Sequence, residues 1–84
     1  MYKGTLELIQ QDDVRPLHPL RGKHKISYML GPSVNKSFTG FLYADRMDSE
    51  QFWTSTVRTI QFEKNHVLIK TLNSTYKLTP SGEV

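Results

Sequence analysis

Trp53-Thr-Ser-Thr-Val-Arg-Thr-Ile-Gln-Phe62, then Glu63-Lys-Asn-His66, then Val67-Leu-Ile-Lys-Thr-Leu-Asn-Ser-Thr-Tyr-Lys-Leu78 is the stretch whose reading decides the fold. Both flanks are rich in β-branched and aromatic residues and contain neither Pro nor Gly, which suits a pleated surface better than a helix. The polar residues between them form a break of hairpin length, in which Asn65 is expected to adopt the left-handed conformation that closes a short loop. Apolar parity slips between Val57 and Ile60, and again between Val67, Ile69 and Tyr76, Leu78. A bulge or bend is therefore expected near Arg58 and another near Asn73-Ser74.

Working outward, Tyr2 to Ile9 alternates Tyr2, Gly4, Leu6, Leu8 against Lys3, Thr5, Glu7, the period of a strand with one wet face. Gln10 to Lys25 carries Pro16, Pro19 and Gly22 and reads as an extended loop. Lys23 to Leu30 alternates again, with Ile26, Tyr28 and Leu30 on one face, until Gly31-Pro32-Ser33 stops it. Ser37 to Tyr43 is apolar on both faces, which fits a central strand or a subunit contact. Gly40 within it predicts a bend or bulge. Residues 44–52 could form one helical turn, capped by Asp48 or Ser49 with Glu50 in the first turn. The whole chain, 1–84, reads as a single mainly β domain: a small curled antiparallel sheet or open barrel of five to six strands, with residues 79–84 a loose tail.

Composition narrows the function classes. There is no Cys, so no disulfide and no thiolate nucleophile. His18, His24 and His66 lack ligand spacing, so no metal or other cofactor is expected. A chain this short builds a small core, which makes homo-oligomerisation a reasonable expectation. No run approaches membrane-spanning length and the charged N-terminus does not read as a signal peptide, so a cytoplasmic protein with no membrane partner is expected. Eleven Lys and Arg against eight acids give a net charge of +3, a surplus that permits an anionic partner without demanding one.

Catalysis finds no support, because no serine sits in a nucleophile elbow and no titratable pair stands out, leaving His18 as an isolated candidate base. Arg15, Arg21, Lys23 and Lys25 concentrate positive charge around one loop and the start of a strand, a phosphate-attracting group that could equally be the solvated face of an edge strand. A second group, Trp53, Thr54, Ser55, Arg58, Thr71, Asn73, Ser74 and Tyr76, would converge at the hairpin end opposite the loop. There aromatic faces could stack on a base, Asn could read its edge, and hydroxyls and guanidinium could hold ribose or phosphate. The plainer reading is that Asn73 and Ser74 satisfy backbone at a bulge and that Tyr76 belongs to the core.

The series Thr54-Ser55-x-Val57-x-x-Ile60, followed by Thr71-x-Asn73-Ser74-x-Tyr76-x-Leu78, resembles the C-terminal hairpin of small phage-type β proteins. Among these it is similar to the Thoeris anti-defence sponges. The resemblance implies a non-enzymatic homo-oligomer that sequesters a cyclic nucleotide-type immune signal in the host cytoplasm. Asn73, Ser74 and the arginines, Arg46 and Arg58, would be its contacts. Two alternatives stand beside it: a small β-barrel that binds single-stranded nucleic acid through exposed aromatics and a basic rim, and an inhibitor that docks on a host enzyme.

Overall fold

The structure, a computed structural model, describes residues 1–11, 22–42 and 50–83. Six antiparallel strands follow one another: β1 (Tyr2–Gln11), β2 (Lys23–Tyr28), β3 (Ser37–Leu42), β4 (Glu50–Phe62), β5 (Val67–Thr71) and β6 (Ser74–Glu83). Each pairs with its sequence neighbour, and β1 pairs with β6, so the sheet closes into a barrel rather than remaining open. No helix occurs among the described residues.

The alternation in the sequence becomes inside and outside. Leu6, Ile26, Tyr28, Phe38, Phe52, Val57, Ile69, Tyr76 and Leu78 fill the interior. Aromatic rings cross it: Tyr28 meets Phe38 edge-on at 5.4 Å, and Phe38 meets Phe52 edge-on at 5.6 Å, the arrangement that the ring quadrupole favours. Gly40 makes room for this row. A Cβ there would lie 2.5 Å from the Ser27 carbonyl oxygen and 2.8 Å from the Phe52 ring.

The parity slip near Arg58 is a register shift between Val57 and Thr59 in the pairing of β4 with β5. The slip near Asn73-Ser74 is a full reversal: Leu72 and Asn73 join β5 to β6, which then run antiparallel with Lys70 opposite Thr75. Asn65 does not have the left-handed backbone expected of it. Among the described non-glycine residues Asn35 does, at φ 72°, in the turn between β2 and β3.

Three further expectations need correction. Residues 79–83 are not a loose tail but continue β6, with Thr79 opposite Thr5 and Gly82 opposite Lys3. The second strand ends at Tyr28, because β1 starts at its register partner Tyr2, and Met29 and Leu30 are left exposed. Glu50 to Phe52, assigned to a helical turn, begin β4. The rest of that turn, with Asp48 and Ser49, lies outside the described residues.

Candidate functional site

The hairpin's polar residues are placed by one small network at the β5–β6 turn. The Ser55 hydroxyl donates to Thr71 Oγ1 at 2.7 Å. Thr71 in turn donates to the Ser74 carbonyl and accepts from the Ser74 backbone N–H, each at 3.1 Å. The Asn73 backbone N–H points at both Thr71 Oγ1 and Ser55 Oγ, at 3.4 Å to each. Neither Leu72 nor Asn73 has positive φ, so the turn is held by a side-chain hydroxyl rather than by a left-handed residue.

The network occupies the Ser55 and Thr71 hydroxyls. Thr71, Ser74 and Tyr76 are buried, at 1 %, 0 % and 1 % exposure. Burial raises the Tyr76 hydroxyl above its ordinary pKa, and a hydrogen bond with Ser74 partly offsets this. Asn73, Arg58 and Trp53 remain outside, with Ser55 half-buried. Thr54, also buried, accepts from the Phe38 N–H at 3.0 Å. The described residues of the expected set therefore split between core and surface, with Ser55, Thr71 and Asn73 joined at the turn. Arg46, Arg15, Arg21 and His18 lie outside the described residues.

Lys23 and Lys25 are brought together with cations that the sequence reading had not joined to them. Both point outward from β2, since Ile26 and Tyr28 point in. Lys23 lies opposite Glu7 on β1, and Glu7 lies opposite Lys77 on β6. Lys77 lies opposite Leu68 on β5, and one step along, Lys70 on β5 lies opposite Thr75. Lys25 stands in the adjoining row, opposite Thr5, which faces Thr79. Lys3, opposite Ser27, completes the group. Neighbouring strands are about 4.8 Å apart, so the face across β2, β1, β6 and β5 is roughly 14 Å wide.

On that face Lys3, Lys23, Lys25, Lys70 and Lys77 stand against Glu7. Lys23 and Glu7 approach to 4.0 Å, an exposed pair of small energetic weight. Comparison with protein-family models, curated proteins and solved structures gives no match. The functional argument therefore rests on these residues.

Trp53 lies elsewhere, 69 % exposed on β4 opposite Thr39 of β3, on the side of the barrel away from the lysines. Among the described residues no group of three His, Asp or Glu comes together as a metal site requires. Among the described residues there is no helix long and apolar enough to cross a membrane, which does not bear on strands.

The missed lysines had a signal. Lys3, Lys70 and Lys77 each take the polar parity in an alternating run, so each had to face outward. That they face outward together follows only from the pairing of β1 with β6, which joins the two ends of the chain.

Proposed function

We propose that this protein is a non-enzymatic, cytoplasmic binder of single-stranded nucleic acid, using the outer wall of β2, β1, β6 and β5 as its contact surface. The observation that carries the reading is the collection of five lysines around one glutamate on contiguous strands. Such a wall attracts a phosphate backbone by charge and does not need to recognise sequence. Capture of a small cyclic nucleotide by the β4–β5 hairpin and β6 is less favoured, since the Thr71 hydroxyl serves the Ser74 backbone and the Ser55 hydroxyl is given to Thr71.

The test is binding of a fluorescent oligothymidylate across a range of salt concentrations. Each lysine that displaces a counterion contributes about −0.7 to the slope of log affinity against log salt, so the wall should give a slope of roughly −2 to −3.5. The double variant Lys25→Ala with Lys77→Ala should lower its magnitude by about 1.4. Trp53→Ala, on the far side, should leave the slope unchanged. Absence of oligonucleotide binding, or one-to-one binding of a cyclic nucleotide that ignores salt, would overturn the assignment.

A further inference from the structure

At one end of the lysine wall the β4–β5 turn stands away from β6 and leaves an open, shallow cleft of about 480 Å³, lined by Glu63, Lys64, Asn65, His66, Val67 and by Thr79 and Pro80. Open to solvent over much of its face, it has room for one small unit laid against the surface rather than enclosed. The ladder between β5 and β6 ends at Val67 opposite Leu78, so the turn that follows Phe62 overhangs Thr79 and Pro80 without pairing to them. The turn is fixed by a hydrogen bond from the Glu63 N–H to the His66 carbonyl at 2.9 Å, which presents its side chains in a set arrangement. The Gln61 side-chain amide donates to the Glu63 carboxylate and engages part of its charge.

The cleft is continuous with the wall. Thr79 lines it and also stands in the row that runs through Thr5 to Lys25. A strand lying along the lysines would thus reach the cleft at its end.

Resting on the reading of the wall as a nucleic-acid surface, we infer that this cleft binds a terminal nucleoside monophosphate unit. Each part of such a unit has a counterpart. Val67 and Pro80 offer an apolar floor for the face of a base, Asn65 an amide for its edge, and Thr79 a hydroxyl for the sugar. Lys64 supplies a cation for the phosphate, and the His66 imidazole, half-buried beside it, supplies a further polar ring. The unit can come from the end of a strand or from a free mononucleotide, which offer the same groups.

The experiment compares a linear oligothymidylate bearing a terminal phosphate with a circle of the same length, binding to the full chain. The wall engages both. Occupation of the cleft by a strand end makes the linear form bind about three- to fivefold tighter, the size of one exposed ion pair. Lys64→Ala with His66→Ala should remove that preference while leaving the affinity for the circle unchanged. In a second arm, free thymidine monophosphate is titrated while the His66 imidazole proton signals are followed, with the Lys64→Ala variant as control. Saturable movement in the native protein, lost in the variant, supports the cleft whether or not any oligonucleotide binds. Failure of both oligonucleotides to bind would therefore remove the wall and not the cleft. Equal affinity for line and circle together with motionless His66 signals would overturn the inference, even where both oligonucleotides bind tightly.

Discussion

Thr71 illustrates how a residue that suits a ligand contact is committed to folding. Its hydroxyl bridges the N–H and the carbonyl of Ser74 across a turn that contains no left-handed residue. Thr71→Val keeps the shape and removes the hydroxyl, leaving a buried N–H and carbonyl without that partner. The expected loss is about 1–3 kcal/mol, read from urea unfolding. Oligonucleotide affinity should not change in the folded fraction, and a variant as stable as the native chain would refute the bridging role. Two tyrosines give a second prediction at this scale. Burial raises the pKa of Tyr28, with the nearby Tyr2 adding to it, and burial raises that of Tyr76. A raised folded-state pKa means that the unfolded chain loses its proton first. The stability associated with these hydroxyls is therefore complete below pH 10.0 and is lost as the pH rises beyond it toward the folded values. Urea midpoints measured through that range should fall, and should fall less steeply when both residues are Phe; a flat native profile would contradict the burial.

At the scale of elements the pairing that closes the barrel is continuous: β1 and β6 run together from Tyr2 with Glu83 to Gln11 with Ser74. A strand bonded along its length opens only at a high free-energy cost. Backbone amides of Leu6 and Leu78 should exchange with deuterium no faster than global unfolding allows, and exchange of either well ahead of it would contradict this. The same pairing shows what sequence could and could not convey. Alternation placed β1 and β2, because inside and outside differ in chemistry at every second residue, while β-branched and aromatic composition placed the β4–β5 hairpin. The extension of β6 was hidden by Pro80 and Gly82, which normally break strands. They are tolerated because β5 has already ended at the level of Leu78, so Pro80 faces no ladder on that side. The polar set in the hairpin was visible as a set, but its direction was not: the reversal at Leu72-Asn73 turns Ser74 and Tyr76 inward.

For the molecule as a whole, closure of the sheet has an electrostatic consequence. Lys3, Lys23, Lys25, Lys70 and Lys77 are distant in sequence and belong to one surface only because β1 meets β6. Like charges on neighbouring strands repel in the folded barrel and separate on unfolding, so the wall proposed to attract a phosphate chain would also destabilise the fold that builds it. A site of that kind would trade stability for function. Replacing Lys70 by Gln removes a cation that lies opposite Thr75 and diagonal to Lys77, with no acid across the β5–β6 ladder, and it keeps much of the stem that packs on the strand. The expected result is a gain of a few tenths of a kcal/mol in unfolding free energy at low salt, shrinking toward zero as added salt screens the wall. Oligonucleotide affinity should fall in the same variant, with a shallower salt slope. Native protein should melt at a higher temperature as salt is raised from low ionic strength, and the Lys70→Gln chain should show less of that rise. Equal salt dependence of melting in the two chains would mean that the lysines do not sense one another. The wall would then carry too little potential to draw a nucleic acid to it.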